Sequence, residues 1–229
     1  MTNPHRTPQA ANAYDDPQQV AVYSRHAEHG LVAYWERRFA TTILDQFRSD
    51  QACTILDMGT GPGWIPIHLA TARPDWRLVG VDLSQRMLDR AQANAQSRAV
   101  QPEWILASAD ATGWPDASCD AVVSHFALHE FPDPAAALRE AARLLKPGGL
   151  LLWRDLQRPP APLVPLLYGV HIVLTFSIAF SRQYAESLRA AYRPAELRPL
   201  LAALPLQGDV RPILGGSQLQ IRVRQKTSA

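Results

Sequence analysis

Apolar residues return along this chain at two different spacings, and the change between them divides it. Over 17–48 the apolar positions Val20, Tyr23, Leu31, Tyr34, Phe39, Ile43 and Phe47 recur at loose helical intervals, with Gly30 as a break. That spacing predicts an N-terminal helical cap over residues 1–48. From residue 50 the pattern shortens: apolar runs at 53–57, 77–82, 103–107, 119–124 and 149–153 alternate with helical stretches at 62–73, 84–97 and 134–146. The last stretch is the best delimited, since Asp133 is placed to cap it, Pro134 suits a first helical turn, and Gly148-Gly149 stops it. Strands alternating with helices predict parallel strands joined by right-handed crossovers, with helices on both faces of the sheet.

Beyond residue 158 the alternation stops. Residues 159–181 contain no Asp, Glu, Lys or Arg, and Pro160, Pro162 and Pro165 confine the continuous helical part to 166–180. Such a helix is ~22 Å long at about 1.5 Å per residue, against a hydrocarbon core of about 30 Å. It predicts a buried or interfacial helix and no transmembrane span; contact with a membrane surface, or a homodimer contact, are further ways to cover its apolar side. A helix near 194–203 follows, then runs at 208–214 and 218–224 separated by Gly215-Gly216, which predict an antiparallel terminal hairpin. One domain is expected throughout 1–229: cap 1–48, core 50–158, apolar lid or acceptor region 159–205, and terminal strands 206–229.

Composition changes this picture little. With 23 Lys and Arg against 21 Asp and Glu, the net charge of +2 offers no general handle for phosphate backbones, so nucleic acid is disfavoured as a partner. The two cysteines, Cys53 and Cys119, lie in apolar runs without zinc or redox spacing, so no metal is expected there. The polar, proline-containing N-terminal stretch lacks the apolar core of a secretory signal, which makes the cytoplasm the default location.

The chemistry concentrates behind the first strand. "LDMGTGPGW" (56–64) puts three glycines in five positions at the first strand-to-helix turn, the usual ligand contact of a doubly wound sheet. A dinucleotide loop is spaced G-x-G-x-x-G and keeps backbone N–H groups free for pyrophosphate. Here the spacing is G-x-G-x-G and Asp57 stands directly before it, which suits a ligand bearing an ammonium group. Asp82 ends the second strand, 23 residues beyond Gly59, where an acid accepts from ribose hydroxyls. Asp110 follows the third, placed for a purine amine. Acids at three successive strand ends describe a nucleoside with a cationic amino-acid tail.

The ordered set "ILDMGTGPG", "LVGVDLSQRML", "SADATGWP" and "DAVVSHFALHEFPDPAAALREAARLLKPGG" resembles the class I S-adenosylmethionine-dependent methyltransferases, in the branch of the ubiquinone and menaquinone C-methyltransferases, over about residues 50–158. The resemblance implies an α/β fold with a doubly wound, Rossmann-like seven-stranded sheet, and S-adenosyl-L-methionine as cofactor. It implies that Gly59, Thr60 and Gly61 pass under the cofactor, Asp82 holds the ribose, Asp110 with Ala111 meets the adenine, Leu83 and Met87 pack beside the nucleoside, and His125 stands near the methionine portion. His125 departs from the small polar residues common there. An aromatic residue of the cap, Tyr14 or Tyr23, would close over the site.

Methyl transfer from a sulfonium demands chiefly alignment, and a base only where the acceptor arrives protonated. By position the candidate bases are His129, Glu130 and Asp155. Each also has a structural reading: a histidine bonded to a carbonyl, a capping acid, and an ion-pair partner of Arg154. The chain lacks the Asn/Asp-Pro-Pro-aromatic run of exocyclic-amine methyltransferases acting on nucleic acid and the cysteine set of arsenite methyltransferases, which leaves a small organic acceptor, hydrophobic or aromatic if the apolar segment lines its pocket. Two other readings stand beside this one: a regulator that binds the nucleoside without catalysis, and a nicotinamide-dependent oxidoreductase.

Overall fold

The fold is seen in a computed structural model, which describes residues 6–7, 16–175 and 177–227. Five parallel strands, β1 (Thr54–Met58), β2 (Arg77–Asp82), β3 (Glu103–Leu106), β4 (Cys119–His125) and β5 (Leu145–Leu156), are joined by β6 (Leu206–Ile213) and β7 (Gln218–Gln225) in one sheet. Its order is β3-β2-β1-β4-β5-β7-β6, with β7 antiparallel to both of its neighbours. The seven strands and the terminal hairpin thus form as the sequence predicts.

Period-two alternation sorts the strand residues between two cores. Leu56, Met58, Val79, Val81, Val122, Leu151 and Trp153 face α5 (Pro134–Leu144) and α8 (Pro194–Ala202). Ile55, Leu78, Ala121, Val123, Leu150 and Leu152 face the other way, toward α2 (Leu31–Leu44) and α3 (Trp64–Ala72). Helix α2 follows α1 (Pro17–Glu28), and its Phe39 and Ile43 are completely buried in that second core. The break between α1 and α2 falls at Gly30, whose φ of +85° is costly for a residue with a Cβ. Ser84 caps α4 (Gln85–Ser97), its hydroxyl accepting from Met87 N at 3.3 Å.

Three elements differ from the sequence reading. Strand β5 begins at Leu145, directly after α5, because Cys119 pairs with Leu145 and the ladder resumes only at Ala121 with Leu150. Residues 146–149, with Pro147 and two glycines, loop out between those pairs, and Lys146 Nζ anchors the loop on Asp120 at 2.7 Å. The apolar helix does not run through 166–180. It forms α6 (Val164–Thr175), and a new helix, α7 (Ile178–Ala190), starts where the Ser177 hydroxyl accepts from Phe180 N at 3.2 Å. Helix α7 was not predicted; Phe180, Ser181, Ala185 and Leu188 are buried along it, while Arg182, Glu186 and Arg189 are exposed.

Only Val164 and His171 of α6 are buried, and Leu166, Val170, Val173 and Leu174 form an exposed apolar stripe at helical spacing. No described helix is long and apolar enough to cross a membrane.

Candidate cofactor and acceptor site

Above the carboxyl ends of β1, β2 and β4, and beside the loop after β3, lies a cavity of about 390 Å³, a size that suits a small-molecule ligand. The glycine loop forms its floor. A Cβ on Gly59 (φ +68°) would stand 2.5 Å from Ala127 Cβ, so this glycine lets the loop pack against protein. Gly61 (φ +53°) faces the open side, where the nearest atom to a Cβ would be Tyr23 Cε1 at 3.9 Å. Close approach by a ligand is therefore possible at Gly61. Gly63, in contrast, packs on Trp104 and Ala91.

The amides of the loop are already used. Gly59 N and Thr60 N both donate to Val81 O, at 2.9 and 3.0 Å, and Gly63 N donates to Thr60 O at 3.0 Å. Gly61 N donates to Asp82 Oδ2 at 2.8 Å. A pyrophosphate needs such groups free, so this loop is not built for a dinucleotide.

Charge points the same way. Glu36, Asp57, Asp82, Asp110, Glu130 and Asp133 line the cavity, and no lysine or arginine does. Six acidic side chains, of which Asp133 has Arg139 at 3.8 Å and Glu130 has His129 at 3.5 Å, favour a positively charged ligand. Asp57 is 3% exposed, accepts from the Thr60 hydroxyl at 2.8 Å, and leaves Oδ1 without a partner. Burial pushes its carboxyl up to about 7, against the Thr60 bond and with help from Asp82. Asp82 is pushed up to about 6, again mainly by burial, although the amides of Ser84 and Gly61 pull it down.

The cap covers the other side. Tyr23 of α1 lines the cavity, and burial, then Glu36, Glu130 and Asp82, hold its phenol well above the ordinary value. Tyr14 lies outside the described residues. Glu36 of α2 also lines the cavity, a contact that the sequence reading missed. Phe39, three residues further along the helix, stacks on His125 at 4.7 Å between ring centres and 11° between planes. His125 is packed by Phe126 as well, at 4.0 Å, and neither ring nitrogen has a partner. Burial, then Arg154, holds it well below 6.5, so the ring is neutral. Phe126 has φ +55°, a strained conformation of the kind that gathers at functional sites.

Of the other sequence-named residues, Leu83, Met87 and Asp110 line the cavity, Leu83 being 55% exposed and Met87 buried. Ala111 stands just outside the lining, its N–H closing a turn on Ser108 O at 3.1 Å, and Ser108 and Ala109 take the wall instead. The three candidate bases separate. Glu130 lines the cavity, while His129 and Asp155 form a buried pair outside its lining. Asp155 Oδ2 accepts from His129 N at 2.7 Å, and Asp155 Oδ1 lies 2.8 Å from His129 Nδ1. Burial opposes a charge on His129, but Asp155 and then Glu130 outweigh it and raise the imidazole to about 10. Arg154 is not the partner of Asp155; it points to the opposite face of β5, donating to Gln220 Oε1 at 2.9 Å. No described residue of 159–181 lines the cavity.

Comparison with known proteins identifies the family. Residues 56–153 match a family described as a methyltransferase domain. The demethylmenaquinone methyltransferase of Thermus thermophilus is 32% identical over 191 residues, 80% of this chain and 85% of that protein. That of Deinococcus radiodurans is 34% identical over 82% of this chain and 80% of its own. A plantazolicin methyltransferase solved in complex with SAH superposes with a TM-score of 0.75, covering 94% of this chain and 93% of that one, at 14% identity, which speaks for the fold. The chain belongs to the class I S-adenosylmethionine-dependent methyltransferases, in the branch of the menaquinone and ubiquinone methyltransferases, and S-adenosyl-L-methionine is its cofactor.

Proposed function

We propose that the chain methylates a small hydrophobic or aromatic acceptor of the quinol type, and that the carboxylate-lined cavity is where it holds S-adenosyl-L-methionine. The observation that carries this reading is the lining itself: six acids, no lysine or arginine, and a glycine loop whose amides are occupied. The activities named for the Thermus and Deinococcus relatives support the acceptor class. Bound there, the cofactor supplies an electrophilic methyl on a sulfonium.

We assign Asp82 to the ribose hydroxyls, Ser108, Ala109 and Asp110 to the adenine, and Leu83 and Met87 to packing beside it, since all of them line the cavity. Tyr23 closes over Gly61 from the cap. On the acceptor side, the rings of Phe126 and Phe131 offer apolar walls, and neutral His125 offers two unpartnered nitrogens that can orient a hydroxyl or carbonyl. Glu130 is the carboxylate we assign to taking a proton from an acidic acceptor. His129 keeps its own proton to about 10 and lies 3.5 Å from Glu130, so it serves as a positioning residue and not as a base.

We read the exposed stripe of α6 as a contact for a membrane surface or for a second copy of the chain; vesicle sedimentation and analytical ultracentrifugation separate the two. The main reading is tested by titrating the protein with S-adenosylmethionine and by mass spectrometry of demethylated quinols incubated with both. Affinity with methyl transfer to a quinol supports it. Absence of affinity removes the cofactor assignment, and turnover confined to another acceptor removes the quinol.

A further inference from the structure

Glu36 is the carboxylate in the cavity whose presence local sequence explains least. Along α2, the residues Ala33, Glu36, Phe39, Ala40 and Ile43 are all buried, so an acid occupies a position on the apolar stripe of an amphipathic helix. It is 6% exposed, and its Oε2 has no partner. Strand alternation places its counterpart. Asp57 lies on the same sheet face as Ile55, which shares a core with Phe39 and Ile43, and His125 lies on that face beneath Phe39. Thus α2 sets Glu36 over the boundary between β1 and β4, where Asp57 Oδ1 also lacks a partner. An uncompensated buried carboxylate is costly, and two in one cavity cannot both ionise cheaply without a cation.

We propose that Glu36 is a cofactor-binding residue: with Asp57 it holds the ammonium group at the amino-acid end of the cofactor, and the two carboxyls share one proton that leaves when the cation enters. The proposal rests on the assignment of this cavity to S-adenosylmethionine. The proton balance is simple. A carboxylic acid and a carboxylate become two carboxylates facing the ammonium, and the proton passes to solvent.

The groups that bear on this exchange come from every side. Burial and then Asp57 hold the Glu36 carboxyl well above its ordinary range, and Arg37 on the same helix opposes them only partly. From α1, the Tyr23 phenol faces Glu36; from β2, Asp82 adds its charge to Asp57; from β4, His125 is neutral. None of these supplies the missing positive charge. Because Glu36 rides on α2, the ammonium would also tie that helix to the end of β1.

The test is isothermal titration of wild type and Glu36→Gln with S-adenosylhomocysteine at pH 8, where Asp57, pushed up to about 7, is already ionised on its own account, in two buffers of different ionisation enthalpy. The comparison ligand is 5′-methylthioadenosine, which lacks the amino-acid end. Wild type should release protons on binding S-adenosylhomocysteine. In Glu36→Gln that release should fall toward zero and affinity should drop by about 10- to 100-fold, the range for a hydrogen bond to a charged group. Methylthioadenosine should bind both proteins alike, which a merely structural defect would not allow.

Equal affinity for S-adenosylhomocysteine with unchanged proton release overturns the proposal and leaves the cofactor assignment standing. If wild type binds neither ligand, the cofactor assignment falls first. Should the glutamine variant not fold, wild type alone decides at pH 8, where Asp57 no longer holds a proton of its own: proton release supports the shared proton, and its absence refutes it.

Discussion

Asp57→Asn should make the cofactor-free protein more stable and its affinity for cofactor weaker. The Asp57 side chain is 3% exposed and Oδ1 has no partner, while Oδ2 accepts from Thr60 at 2.8 Å. Burial lifts the carboxyl from 3.8 to about 7. An acid whose folded value exceeds its unfolded one contributes fully to stability below about 3.8, and that contribution is lost as pH rises through about 7. At 1.36 kcal/mol per pH unit, ionised Asp57 costs the empty fold about 4 kcal/mol at pH 8.

Asparagine has nearly the same volume, keeps an acceptor for Thr60 and carries no charge. The variant should therefore gain up to about 4 kcal/mol at pH 8, or about 8 to 15 °C in Tm for a domain of this size, and little near pH 4. Urea unfolding of both proteins without cofactor at pH 5, 6.5 and 8, with S-adenosylhomocysteine titrations in parallel, measures the two effects. Midpoints that converge toward low pH, together with weakened binding, are the expected result. A variant less stable at pH 8, or a difference that does not change with pH, would refute the electrostatic reading of this site.

Asp155→Asn should cost about 3–5 kcal/mol at pH 6, since it leaves the charged His129 ring buried without its carboxylate. The sign follows from the raised imidazole: its contribution is whole below about 6.5 and disappears as pH passes about 10, so denaturation midpoints of the two proteins should approach each other at pH 10.5. Gly59→Ala and Gly61→Ala should fail differently. The first drives a methyl to 2.5 Å from Ala127 and should lose about 2–4 kcal/mol in thermal unfolding. The second meets nothing nearer than 3.9 Å and should lose only about 1–2 kcal/mol, while its methyl, set below Tyr23 on the open side, weakens S-adenosylhomocysteine binding in a titration.

Residues whose roles depend on neighbours in sequence could be read in advance. Asp57 and Asp82 stand at strand ends beside loops with their own signatures, and Asp133 caps a helix of strong period; each lies where the chain pattern puts it. Glu36 escaped because a lone acid in a helix normally marks the solvated face, and only packing of α2 on the sheet buries it. The pairing of His129 with Asp155 spans 26 residues and two strands, a proximity that spacing cannot express. Serine at 177 splits a run that reads as one apolar helix, because its hydroxyl offers Phe180 N a partner that a continuous helix would not need. Ala111 sits one residue beyond the cavity lining, its N–H engaged by Ser108 O.

Strand β6 touches the sheet through β7 alone, although β7 comes after it in the chain. During synthesis β6 therefore leaves the ribosome with no docking edge, and β5 waits with one flank open until residues 218–225 arrive to fill it. The nascent protein can assemble its nucleotide half early, but the joint that supports the Asp155 side of the molecule is completed late, so stalled or truncated chains missing this segment would expose β5 and invite β-pairing with foreign chains.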